Sequence, residues 1–532
     1  MNPALVSLLV PAAYLAGALL PSRFWPAQPS GQWLLVRQLS WLALFLAVGQ
    51  SLLLWWRPDV SPMALVDGIP LAVRADALSA LLHLLIAGLA AVILPFAGRY
   101  LNGEPGQRAF QRWFLSALAA VSLLVTTDDL LVLALTWTAA NYALHKLLAH
   151  YPDRPEAVVA AHKQWLVNVA ADLLLVVAVG LIWQAVGSQR LSDLGTLLGT
   201  SASLSPGLQL AAVLVVLAVC LRTAQLPAQG WLIQVMEAPT PVSAFLHAGL
   251  VNIGGVVLLR LATLLMASWP AQFLLVLIGG VTAVLAALVM QTRVSIKVSL
   301  AWSTSAQMGF MLVELGLGAY RLALLHLLAH SLYKAHAFLT SGRTVEQWIR
   351  AHTTTLPHAR GVSDWVRAFA VAVAAVTLLF VSSARWSVAS PDDLLSGSML
   401  ALALMPLLTV RLADGAAALL SHAHLATGLL LLAFAAHALA QVMPITVQPP
   451  AADALRLGLA ATLALALVVI QVLITVRPHG AFARALYPAC FAGFYVDEVF
   501  TRLTFRWWPP RTPARTIAHA PAFPAALHSS PA

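Results

Sequence analysis

The chain has 532 residues, 60% of them hydrophobic and only 9% charged, with a formal net charge of +10 and a mean hydropathy of +0.85. Soluble domains carry about a quarter charged residues, so this composition excludes an ordinary water-soluble enzyme. The positive excess is not gathered into a basic cluster with interleaved aromatics, which excludes a nucleic-acid surface.

A helix that crosses a bilayer needs about 20 mostly apolar residues and closes its backbone hydrogen bonds within itself. Runs of this kind recur near 4–20, 33–56, 75–97, 110–127, 129–150, 160–186, 208–225, 240–264, 271–290, 296–316 and 320–341. Softer runs near 365–383, 397–412, 417–443 and 453–476 raise the expectation to about 13–15 spans. None shows the ~10-residue alternation of a membrane barrel. The fold class is therefore all-α, a polytopic membrane body. The first run, MNPALVSLLVPAAYLAGALL, lacks a basic leader and reads as a retained helix, not a cleaved signal. Cys220 and Cys490 sit in apolar sequence without metal-ligand spacing and read as small hydrophobes.

Basic residues after odd-numbered spans, such as Arg23, Arg99, Arg108, Lys146, Lys163, Arg293 and Arg350, outnumber those after even ones, such as Arg57, Arg74, Arg190 and Arg260. The richer set marks the cytoplasmic side and puts the N-terminus outside, in a bacterial inner membrane. After Pro478 the character changes. ARALYPACFAGFYVDEVFTRLTFRWWPPR mixes aromatics with Arg484, Asp497, Glu498, Arg502 and Arg506, which suits an interfacial amphipathic segment anchored by Trp507 and Trp508. A Pro- and Ala-rich tail follows and reads as disordered. The expected divisions are 1–109, 110–345, 346–477 and 478–532.

Ionisable groups cost about 2.5–3.5 kcal/mol each at the centre of a spanning helix, so clusters of them mark function. Three clusters stand out. In LRTAQLPAQGWLIQVMEAPTPVSAFLH, Arg222 is expected near the middle of a helix that Pro227 interrupts, with Pro239 and Pro241 bracketing a turn and His247 about one turn into the next helix. A break at membrane depth is tolerated only inside protein or beside a wet cavity, and transporters build ion sites from such breaks. The bland alternative is a kinked helix with a snorkelling Arg222.

In YRLALLHLLAHSLYKAHAFLTS, His326, His330 and Lys334 recur every four residues and share one helix face. Their types and spacing suit a proton relay, against the alternative of locally satisfied histidines and a snorkelling lysine. A zinc site is disfavoured, because no carboxylate or thiol ligand stands with them. In 160–186, His162, Lys163, Asn168 and Asp172 form the third cluster, and Asp172 is expected to pair with Arg222, as a gate or as a structural ion pair. Asp128 and Asp129 read as helix N-terminal acids. Ser299, Ser303, Thr304, Ser305 and Gln307 give a polar face to the helix that begins near Lys297, and Glu314 is a further relay candidate.

AQLPAQGWLIQVMEAPTPVSAFLHAG, SIKVSLAWSTSAQMGFM and HLLAHSLYKAHAFLTSG, in that order, resemble blocks of the antiporter-like subunits of respiratory complex I and the multisubunit cation/proton antiporters. The resemblance runs from about residue 70 to 345. It implies two inverted five-helix repeats, each with a discontinuous helix, and a polar axis along the membrane midplane. Asp172, His247, His326, His330 and Lys334 fall on axis positions. The sequence departs where Trp137 is followed by Thr138 and not a glutamate, where Arg222 replaces a lysine, and past residue 365, where no lysine matches the late-helix position.

These departures make the chain similar to the DabB-type branch, membrane subunits of two-component inorganic-carbon pumps. That similarity implies a soluble DabA-like partner related to zinc carbonic anhydrases, with H+ or Na+ flow driving one-way CO2 hydration in the partner. No cofactor of the chain's own is implied. No nucleotide fingerprint, nucleophile triad or dinuclear carboxylate site appears, so no catalytic chemistry is assigned to this chain. The rival readings are a respiratory or antiporter subunit, and a membrane scaffold that no longer conducts.

Overall fold

The computed structural model describes residues 3–56, 63–64, 72–200, 204–343 and 453–510, with the isolated positions 366 and 370. The expected spans between 365 and 443, and the tail past 510, lie outside the described residues. Helices dominate. In chain order they are α1 (Pro3–Ser7), α2 (Leu9–Leu19), α3 (Pro29–Trp56), α4 (Ala77–Tyr100), α5 (Gln107–Thr126), α6 (Leu130–Leu148), α7 (Pro155–Val186) and α8 (Leu191–Thr200). There follow α9 (Pro206–Arg222), α10 (Gly230–Gln234), α11 (Thr240–Ala248), α12 (Ile253–Arg260), α13 (Ala262–Ala267), α14 (Trp269–Met290), α15 (Ile296–Gly316) and α16 (Tyr320–Thr340). The last described are α17 (Ala454–Val476), α18 (Ala481–Phe491) and α19 (Val496–Trp507). A two-residue hairpin, β1 (Met63–Ala64) and β2 (Ala72–Val73), pairs antiparallel with Met63 opposite Val73.

Among the described residues, seven helices or helix pairs are long and apolar enough to cross a membrane: α3, α4, α5, α7, α11 with α12, α14 and α17. The chain is a multi-pass membrane protein. Three more, α6, α15 and α16, are long enough to span but less apolar. With α7, α9 and α11 they carry the polar side chains described below.

Local chemistry sets the helix ends. Asp76 caps α4, accepting from the Ser79 amide at 2.8 Å while the Ser79 hydroxyl accepts from the Asp76 amide at 2.9 Å. Asp129 caps α6 by accepting from the Val132 amide. Asp128 does otherwise: it accepts from the Ser192 hydroxyl and lies 3.8 Å from the Arg74 guanidinium. Gly187, at φ 73°, ends α7 in the left-handed conformation that a glycine adopts without cost.

The expected helix of 240–264 is in fact discontinuous. α11 stops at Ala248, residues 250–252 make a 3-10 turn, and α12 resumes at Ile253. Pro239 and Pro241 do not break it; Pro239 is the N-cap of α11 and Pro241 lies in its first turn, where a missing amide proton costs nothing. Pro227 lies in the link between α9 and α10. His247 is thus in the last turn before the break, not one turn into the helix. Arg222 ends α9 and does not sit mid-helix, and the carbonyl end of a helix favours a cation.

The helices alternate between two faces. At one, Gln107 donates to the Pro29 carbonyl, Tyr151 to Glu104, and Arg293 to the Cys490 carbonyl. At the other, Arg260 clamps Asp76 at 2.5 and 3.0 Å, and the backbone around Asp129 pairs antiparallel with that around Arg190. Between them lies the apolar core, continuous from α2 to α16.

Candidate functional site

Two buried polar clusters lie between these faces. The first is built on α6, α7 and the end of α9. Gln164, Asn168 and Asp172 recur every four residues along α7 and make one polar stripe. The Gln164 amide donates to Asn141 Oδ1 at 2.6 Å, and Asn141 Nδ2 donates to Asp172 Oδ2 at 2.9 Å. Arg222 donates to Asn168 Oδ1 at 3.0 Å and to the Trp137 carbonyl at 3.3 Å, with its guanidinium 4.9 Å from the Trp137 ring centre.

The expected Asp172–Arg222 contact is not made. Each charge has an amide partner of its own, Asp172 with Asn141 and Arg222 with Asn168. Two ions in apolar sequence suggest a direct pair; side-chain amides on α6 and α7 offer each a neutral partner instead.

The second cluster is built on α11, α15 and α16. Lys334 is fully buried, and its ammonium donates to the Ser303 hydroxyl and to the Leu300 carbonyl at 3.2 Å. His330 bonds through Nδ1 to Gln307 Oε1 at 2.9 Å and through Nε2 to the His247 carbonyl at 3.1 Å. His326 pairs with Glu314 at 3.1 Å, and its ring centre lies 6.3 Å from that of His330. His247 bonds Thr304 through Nδ1 at 3.0 Å and stacks on Phe338. The helix break is tied to the same cluster, since Asn252 donates to the Ser331 hydroxyl at 2.7 Å.

Thus His326, His330 and Lys334 share a face of α16, His247 meets them from α11, and Asp172 and Arg222 stand apart on α7 and α9. Pro227, Pro239 and Pro241 shape the connection from α9 to α11. Several buried groups along this connection and at its exits have no protein partner among the described residues: both ends of the Gln229 amide, Gln225 Oε1, Ser243 Oγ, Ser305 Oγ and His247 Nε2. Buried polar groups of this kind take water. Among the described residues no three His, Cys, Asp or Glu side chains stand close enough to hold a metal ion.

Residues 127–384 match the family described as NADH:quinone oxidoreductase/Mrp antiporter, TM. The chain is 34% identical to a probable inorganic carbon transporter subunit DabB of Hydrogenovibrio crunogenus, over 96% of this chain and 95% of that one. The chain belongs to the DabB family. A DabB2 subunit of Halothiobacillus neapolitanus is 36% identical over 86% of this chain and 85% of its own length. The fold agrees with a chain of the Mrp complex from a Dietzia species, at a TM-score of 0.63 and 22% identity, covering 95% of this chain and 59% of that one.

In this DabB-family chain two parts of the site, and the partners of a third, are not legible in the sequence. Asn141 and Gln164 are ordinary polar residues until α6 and α7 pack; the four-residue spacing from Gln164 to Asp172 was the available signal. Ser303, Thr304 and Gln307 are visible as a polar face, and the structure gives each a partner: Lys334, His247 and His330. The remaining part is Asp497, from α19, which pairs with Lys163 on α7.

Proposed function

We propose that this chain is the proton-conducting membrane subunit of a two-component inorganic-carbon uptake system, with Lys334, His330 and His326 as a relay. Asp172 and Arg222 form the opposite, gating half, and His247 stands beside the break that joins the two. The observation that carries this reading is Lys334. Its buried ammonium is held by two neutral oxygens, and among the described residues no carboxylate lies within ion-pair distance. A lysine that deep is not there for stability, and one without a fixed counter-ion can release and regain a proton.

The names of the relatives supply inorganic carbon as the cargo. A DabA-type partner with its own zinc would carry out CO2 hydration, and cation flow through this chain would make that hydration one-way. The conducting chain then needs no catalytic group. Lys334→Ala tests the reading: coupled uptake is expected to disappear while the complex with its partner still assembles. Unchanged uptake by that variant would contradict it.

A further inference from the structure

We propose that Asp497, brought in by α19, is the aqueous port of the ion path, the carboxylate at which the polar stripe of α7 exchanges protons with water. The proposal rests on the conducting role argued above. It starts from Lys163, near the beginning of α7, whose side chain is fully buried. Its ammonium donates to Asp497 Oδ1 and, at 2.6 Å, to Thr501 Oγ1. Among the described residues Asp497 is the one carboxylate within ion-pair distance of it.

Asp497 faces two ways. Its other oxygen accepts from the Gln234 amide at 2.9 Å, and its side chain stays 28% exposed. It is therefore open at the surface of the chain and touches a buried cation at once. Inward, the stripe starts one residue on and about 100° around α7, where Gln164 bonds Asn141, and Asn141 bonds Asp172, so the step from Lys163 to the stripe runs through water. From Lys163 to Asp172 is nine residues, about 13 Å along the helix. Lys163 and Asp497 thus stand at the outer end of a line of polar groups that ends on a buried carboxylate.

The fit of α19 is specific to this place. His162 Nε2 bonds the Trp508 carbonyl at 2.9 Å, and the His162 ring lies against Phe505. Gly230 leaves the room for the pair. A Cβ there would collide with the Asp497 carboxylate and stand 2.6 Å from Lys163 Nζ. In the transfer step the Lys163 ammonium gives a proton, through intervening water, to the Asp172 carboxylate and becomes an amine. Asp497, protonated from water, returns one to it and becomes a carboxylate again. One proton enters and both side chains are regenerated.

The test uses the purified complex with its partner in sealed vesicles, with uncoupler-sensitive proton flux as the readout. Asp497→Asn is expected to lower flux by about ten-fold or more, and Asp497→Glu to restore it to within about two-fold. Millimolar formate or azide, small acids that can deliver protons in place of a side chain, should restore flux in Asp497→Asn and not in Lys334→Ala. Gly230→Ala, which keeps both charges and parts them, should behave like Asp497→Asn. Near-normal flux in an assembled Asp497→Asn complex, or a loss that neither weak acid repairs, overturns the port. So does failure of both Asp497→Asn and Gly230→Ala to assemble, which would make the pair structural. Wild-type flux no greater than that of Lys334→Ala would instead sink the conducting role, and the port with it.

Discussion

Arg222 shows how far single residues can be read before packing is known. An arginine in apolar sequence announces a site, and its spacing from Asp172 invites a pair. The structure gives it two partners in different directions, Asn168 Oδ1 at 3.0 Å and the Trp137 carbonyl at 3.3 Å. A planar guanidinium can hold both; an ammonium is a point charge that cannot reach both in the same way. Arg222→Lys is therefore expected to cost about 1–3 kcal/mol, the worth of a hydrogen bond to a charged group, and to weaken coupled uptake. Thermal unfolding of the solubilised complex beside uptake in cells checks this. A variant equal to wild type in both would mean the second hydrogen bond does nothing. By contrast Lys334, His330 and His326 were legible from the sequence, because a four-residue repeat puts them on one helix face without reference to any other element. The Lys163–Asp497 pair was not, because 334 positions separate its members.

Element boundaries followed closely from apolar run length, since a spanning helix must satisfy its own backbone. The helix expected at 296–316 is α15, Ile296–Gly316. The interruption within 240–264 was not legible in the sequence, for a physical reason. Prolines are the visible breakers, but here they start α11, and the break falls at Gly249–Asn252, where no proline stands. Nor does sequence show how closely α14 and α15 approach. A Cβ on Gly309 would lie 2.5 Å from the Gly279 carbonyl oxygen, and one on Gly279 would lie 2.6 Å from that of Gly309. Small residues permit such contact between membrane helices. Gly309→Val should force them apart at a cost of about 1–3 kcal/mol. Because Ser303, Thr304 and Gln307 ride on α15, uptake should fall with stability. The variant's melting temperature and uptake rate check this together, and a stable variant with normal uptake would show that the close approach is dispensable.

At the scale of the molecule, the helices divide by the work their side chains do. Some apolar helices, α3 and α17 above all, turn most of their side chains outward, where hydrocarbon can solvate them. The less apolar α6, α15 and α16, together with the polar stripe of α7, supply polar groups to two buried clusters, one on either side of the α9–α11 connection. The all-α membrane class follows from composition alone, whereas the placing of the clusters needs the packed helices. Under the reading proposed above, that arrangement takes inorganic carbon as its cargo and a DabA-type protein as its partner. The most direct test is growth of a carbonic-anhydrase-deficient bacterium in ordinary air, with this chain expressed alone, beside its DabA-type partner, and with both plus an uncoupler. The account predicts rescue only by the pair, and its collapse when the uncoupler is added. Absence of rescue with both proteins demonstrably in the membrane would contradict it, as would rescue that survives the uncoupler.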